Sequence, residues 1–188
     1  MPVIPEATAD DLLLDHLRAG DRAAVEQAYI AHHAPVRGFA RKLVGDETAA
    51  EDIVHETFLV LPKVIGRFRG DGSLRSFLLG IAVNCSRRHI RSAMRRRKAM
   101  DRLAVHVEHT ASMAADAGVE LERKRLAQKL WSALDRLPHD QRTVFVLCEA
   151  EQRTSVEVAG IVGAPEGTVR TRLFHAKRKL RELLEGDV

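Results

Sequence analysis

From Thr154 to Arg172 the chain permits little besides two helices joined by a tight turn. Thr154 and Glu157 have the Thr-x-x-Glu spacing of a capping box, in which a hydroxyl and a carboxylate each satisfy an orphan backbone N–H, so a helix is expected to begin there. Gly163 supplies the left-handed residue that ends it, and Pro165 suits the first turn of a second helix, where its missing N–H costs nothing. Val169, Leu173, Ala176, Leu180 and Leu183 recur at helical spacing and predict a buried stripe. Arg170, Thr171, Phe174, His175, Lys177 and Arg178 fall off that stripe. They offer donors for phosphates and base edges, and an aromatic ring for thymine methyls or sugars. A helix-turn-helix of this kind points to DNA. In the plainer reading, Lys177 to Arg181 are only a solvated helix end that complements the macrodipole. That explains the charge but not the coincidence of cap, turn and basic helix.

The rest of the chain agrees with an all-α fold. Only 4% of the 188 residues are aromatic, six are Pro and twelve Gly, and no stretch alternates polar and apolar for long. Strands are therefore not supported. With 45% hydrophobic and 30% charged residues the chain can bury a core as one large or two small domains. Its composition suggests the second: a disordered tail over 1–9, a helical domain over 10–98, a flexible linker over 99–119 and a helical domain with the helix-turn-helix over 120–186. In the last of these, Leu126, Leu130, Leu134 and Leu137 stripe a helix that stops before Pro138.

Several function classes are disfavoured. The net charge of +4 favours a polyanionic partner, although with 26 acidic residues present the basic charge has to be local to matter. Met1 to Asp11 has no apolar core, so neither a signal peptide nor a membrane anchor is expected, and the protein should be cytosolic. Cys85 and Cys148 lack any Cys-x-x-Cys partner and read as two buried free thiols. The nine His, including His32, His33, His106 and His109, have no Cys or carboxylate partners at ligand spacing. No metal, cofactor, small-molecule substrate or catalytic role is expected.

The first domain carries two further segments. Thr48-Ala49-Ala50-Glu51 has the capping-box spacing and precedes a helix with Ala50, Ile53, Val54, Phe58 and Leu61 directed inward. Asp52, His55, Glu56 and Leu59 share its outer face, a small acidic patch with an apolar rim that suits an Arg-rich partner helix. An ordinary solvated helix face is the plainer reading. Further on, Gly70, Asp71, Gly72 and Ser73 form a loop, and Phe77, Leu78, Ile81 and Cys85 a buried stripe. Opposite that stripe, Asn84, Arg88, Arg91 and Arg95 align at steps of three and four, widened by Arg87 and by the run Arg95-Arg96-Arg97-Lys98. The row suits a nucleic-acid backbone, and the loop beside it an unstacked base.

The full order of motifs is an Asp-Ile-Val-x-Glu-Thr-Phe helix, a Phe-Arg-Gly loop, a Ser-Phe-Leu-x-x-Ile-Ala-x-Asn helix, an Arg run, Leu-Pro-x-x-Gln-Arg and Gly-Thr-Val-Arg-Thr-Arg-Leu. In this order they closely resemble the extracytoplasmic-function group of bacterial sigma-70-type sigma factors, over nearly the whole chain. The resemblance implies a two-domain protein that binds core RNA polymerase and promoter DNA. Asp52, His55, Glu56 and Leu59 would dock on the clamp helices of the beta-prime subunit, and the beta flap is the other implied contact on the core polymerase. Gly70 to Ser73 with Asn84, Arg87, Arg88 and Arg91 would capture a flipped base and melt the minus-ten element. Thr168, Arg170, Thr171, Phe174, His175 and Arg178 would read the minus-thirty-five element. The chain departs from the family at His55, where Gln is usual, and at Pro62, which is expected to interrupt the helix. The family also implies an anti-sigma partner, often membrane-anchored. The alternative from the residues alone is a helix-turn-helix regulator that binds duplex DNA apart from the polymerase.

Overall fold

The computed structural model describes residues 9–70, 72–101 and 118–185, and every regular element among them is helical. The elements are α1 (Ala9–Arg18), α2 (Arg22–Val44), α3 (Glu47–Val64), a 3-10 turn (Ile65–Arg67), α4 (Leu74–Asp101), α5 (Gly118–Asp135), α6 (His139–Phe145), a π turn (Val146–Ala150), α7 (Ser155–Val162) and α8 (Glu166–Glu185). Most of the expected tail and linker, together with Asp71, lies outside the described residues. The chain divides into two compact units, 1–42 with 46–86 and 43–45 with 87–188.

The first unit is built around α2, α3 and the start of α4. Leu17, Val36, Phe39, Ile53, Val54, Leu61, Ile65, Leu78 and Leu79 are buried. Each such side chain contributes roughly 1.5–3 kcal/mol relative to exposure. The five residues expected to face inward from α3 are all buried, joined by Ala49 and Thr57. Thr57 is accommodated by donating its hydroxyl to the Ile53 carbonyl at 2.7 Å.

Two expectations about α3 are corrected. Its cap is Asp46 rather than Thr48: Gly45, at φ +74°, turns the chain out of α2, and Asp46 is then the extended residue whose Oδ1 accepts from Ala49 N–H at 2.7 Å. A short carboxylate at that position caps better than Thr, and Thr48 falls inside the first turn. Glu51, free of any capping role, pairs with Arg37, while Glu47 pairs with Arg37 and with Arg41 at 3.2 Å. Pro62 does not interrupt α3 either, since the helix runs on to Val64. An interior proline costs about 3 kcal/mol, and the buried Phe58, Leu61 and Ile65 around it supply the packing that offsets this.

In the second unit, Ala133 and Leu134 of α5 and Leu137 just beyond its end pack on Ala176 and Leu180 of α8, flanked by Trp131, Phe145 and Leu183. The expected four-leucine stripe is thus only half buried. Leu126 and Leu130 are 62% and 40% exposed, because α8 meets only the last turns of α5. The helix does stop before Pro138. Arg142, next to α6's buried Val144, is itself buried and pairs with Asp135. Glu151 N–H then reaches back five residues to Val146 O at 3.0 Å, winding the π turn that buries Leu147. Cys85 is buried, but Cys148 in that turn is only half buried, which corrects one of the two expected buried thiols. Burial, then Glu149, pushes the Cys148 thiol up, away from reactivity.

Candidate nucleic-acid and polymerase interface

The helix-turn-helix forms as its residues dictate. Thr154 and Glu157 close a complete capping box at the start of α7, Gly163 ends α7 at φ +66°, and Pro165 stands just before α8, its carbonyl accepting from Thr168 and Val169 N–H. Val169, Ala176 and Leu180 are buried, with Leu173 and Leu183 partly so, which leaves the other face of α8 to solvent.

On that face Arg170 is exposed and donates to Glu166 Oε1 at 2.6 Å. The Thr171 hydroxyl bonds back to Gly167 O at 2.9 Å, and Thr168 is half buried. Phe174 is 62% exposed, with His175 edge-on at 5.6 Å and the Arg178 guanidinium 5.9 Å above its ring. An aromatic with a guanidinium over its ring and left in solvent presents a stacking or methyl-binding surface. Lys177 pairs with Glu149 at 2.7 Å, and Arg178 with Glu182 at 3.7 Å. Arg172, by contrast, turns inward to Asp140 at 2.8 Å. Burial alone would raise the Asp140 pKa, but the positive charges of Arg172 and Arg87 outweigh it and hold the carboxylate below its usual range.

Along α4, Asn84, Arg88, Arg91 and Arg95 are all exposed, at the steps of four and three that set them in one row. Arg87 is not part of that row. It is half buried and donates to Asp140 at 3.1 Å. Ahead of the helix, Gly70 (φ +85°), Gly72 and Ser73 are exposed, and the Ser73 hydroxyl caps α4 by accepting from Ser76 N–H at 3.2 Å. At 1.5 Å per residue, Ser73 and Asn84 are about 16 Å apart along the axis. The loop and the row therefore address different stretches of a strand.

On α3, Asp52, His55 and Leu59 are exposed and Glu56 is half buried. Glu47 and Glu51 are neutralised by Arg37 and Arg41, whereas Asp52 has no partner among the described residues and presents a bare carboxylate. Sequence reasoning missed the adjoining surface of α2: Arg22, Val25, Glu26 and Tyr29 join His55, Phe58 and Leu59 in lining an open groove. Tyr29 is held there by stacking on His33 and by an edge contact with Phe58. The signal for this surface was tertiary, since only the folded pair of helices brings residues 22–29 beside residues 55–59. Among the described residues no cluster of His, Cys, Asp and Glu is placed to hold a metal, and no helix is long and apolar enough to cross a membrane.

The fold and these faces define a helical DNA-binding protein of the helix-turn-helix class. Residues 28–96 match the model of sigma-70 region 2, and residues 127–180 that of sigma-70 region 4. The chain is 26% identical to the RNA polymerase sigma-H factor of Pseudomonas aeruginosa, covering 94% of each chain. It is 27% identical to the ECF RNA polymerase sigma-E factor of Escherichia coli K12, covering 93% of this chain and 94% of that one. Among solved structures it resembles CnrH in complex with the cytosolic domain of CnrY, with a TM-score of 0.64 and 25% identity over 96% of this chain and 99% of that one. It also resembles the sigma factor RpoE in complex with the anti-sigma factor NepR from Bartonella quintana, with a TM-score of 0.62 and 28% identity over 87% and 98%. The chain belongs to the extracytoplasmic-function group of sigma-70-family RNA polymerase sigma factors. A duplex-DNA regulator acting apart from the polymerase is not favoured.

Proposed function

We propose that this sigma factor divides promoter recognition among three faces. Asp52, Glu56, His55 and Leu59 of α3 take the beta-prime clamp helices, with the second domain on the beta flap. The loop at Gly70 to Ser73, including Asp71, and the α4 residues Asn84, Arg88 and Arg91 hold the melted minus-ten strand, with Arg87 reaching it only on leaving Asp140. Thr168, Arg170, Thr171, Phe174, His175 and Arg178 read the minus-thirty-five element. Domains over 10–98 and 120–186, joined by a linker over 99–119, let the polymerase set the spacing between two individually weak contacts. A bidentate arginine–base pair is worth roughly 1–3 kcal/mol, so neither domain has to bind tightly alone.

Melting needs no catalytic residue: trapping an extruded base offsets the few kcal/mol of unpairing, and the basic row retains the strand. The reading places the protein in the cytoplasm, where the polymerase is. Because CnrH and RpoE were each solved with a bound partner, NepR being named an anti-sigma factor, an anti-sigma partner is part of the proposal. The observation that supports the reading most is the solvent-facing row Arg170, Thr171 and Phe174 on α8, with half-buried His175 beside it, within the region 4 match.

The test is a pull-down of core RNA polymerase with the parent protein and with D52R/E56R, followed by transcription from a promoter library. Core binding by the parent, its loss in the variant, and promoter-specific transcripts are expected. A folded parent that fails to bind core overturns the proposal.

A further inference from the structure

We propose that Glu166 is a specificity-determining residue of the recognition helix: its carboxylate holds Arg170 for a guanine and itself accepts from the amino group of a cytosine one or two base pairs away. The inference rests on the reading of α8 as the minus-thirty-five reader. Glu166 and Arg170 stand one turn apart at the start of α8, joined at 2.6 Å, with the side chains 38% and 70% exposed. In helix-turn-helix proteins the N-terminal residues of the second helix are the ones that reach base edges, so the pair is placed at the reading end.

Held by Glu166, the Arg170 guanidinium gives up one of its N–H donors and keeps enough for the bidentate contact to guanine O6 and N7. A side chain already fixed in one arrangement loses less freedom on binding than one that must be ordered by the DNA. The carboxylate has chemistry of its own. It carries acceptors only, so the O6 and N7 of guanine or the O4 of thymine would set acceptor against acceptor, whereas the cytosine N4 amino group donates to it. Residues one turn apart on a helix are about 5–6 Å apart and stacked bases about 3.4 Å, which puts the two preferences one or two steps from each other. A Glu in the first turn also favours the macrodipole, but that role carries no base preference.

The test is transcription by core polymerase with the full-length protein from a promoter library randomised across the upstream element, comparing the parent with E166A, E166Q and R170A. R170A is expected to erase a guanine preference at one position. E166A is expected to weaken that preference about fivefold and to relax a separate cytosine preference; E166Q, whose amide pairs with adenine, is expected to shift the second position from cytosine toward adenine. If R170A alters the profile while E166A and E166Q either match the parent or lose transcription uniformly across all sequences, the assignment of Glu166 is overturned by itself. If R170A leaves the profile unchanged, the reading of α8 falls and this inference falls with it.

Discussion

Thr154 and Glu157 satisfy each other's backbone at the mouth of the helix-turn-helix: the Thr154 hydroxyl accepts from Glu157 N–H at 3.3 Å, and the Glu157 carboxylate accepts from Thr154 N–H at 2.9 Å. The bonds that the carboxylate accepts, led by the one from the Thr154 backbone and followed by that from the Arg153 side chain, lower the Glu157 pKa from 4.5 to about 2. A depressed carboxylate stabilises the fold above its unfolded pKa, and that contribution is lost as pH falls through the folded value. The difference in urea midpoint between the parent and E157Q is expected to hold above pH 4.5 and to shrink toward pH 2. At neutral pH, T154A is expected to cost about 1 kcal/mol.

The stripe on α5 predicts unequal leucines. Leu134 is 5% exposed against α8, so L134A should cost about 2–5 kcal/mol in chemical denaturation. Leu126 is 62% exposed, and L126A should stay within about 0.5 kcal/mol of the parent.

Arg88 and Asn84 are exposed on α4, a different helix from α3, which carries the acidic face. R88A and N84A should therefore slow open-complex formation about tenfold, on the scale of one charge-assisted hydrogen bond. Retention of core polymerase should change far less. Permanganate reactivity of the melted strand, measured beside a core pull-down, separates the two steps, and equal losses in both would sink this division of labour.

Phe174 contributes its ring to solvent rather than to the core. F174A should leave the thermal midpoint of the protein nearly unchanged, within about 0.5 kcal/mol. It should weaken holoenzyme binding to an upstream element by about 1 kcal/mol, on the scale of stacking and methyl contacts. The comparison has to be made at one salt concentration, because the phosphate term varies with it.

Local signals carry most of the fold. The Thr154–Glu157 cap, the turn at Gly163 and the stop before Pro138 depend on residues within a few positions of one another, and all are legible in the sequence. The cap of α3 is easily misread because Thr48 and Glu51 imitate the same spacing. The choice between Thr48 and Asp46 is made by the preceding Gly45, and Glu51 is taken by Arg37 from another helix. Leu126 and Leu130 keep the period of a buried stripe, but periodicity says which face is apolar and not how far the neighbouring helix extends. The site residues on α8 are readable as the polar complement of a strong stripe. Their ion pairs, with Lys177 reaching Glu149 and Arg172 reaching Asp140, join residues 28 and 32 positions apart and leave no local trace.

The π turn at Val146–Ala150 holds one residue more than an α-helical turn would. Each residue added to or removed from a helix rotates the downstream chain by about 100°. A single-codon insertion or deletion there would therefore put α7 and α8 out of register with α5, pulling Ala176 and Leu180 off Ala133 and Leu134 while leaving every solvent-facing side chain of α8 unaltered. In this segment the number of residues is constrained as tightly as their identity, because length alone sets whether the second helix of the pair meets its core.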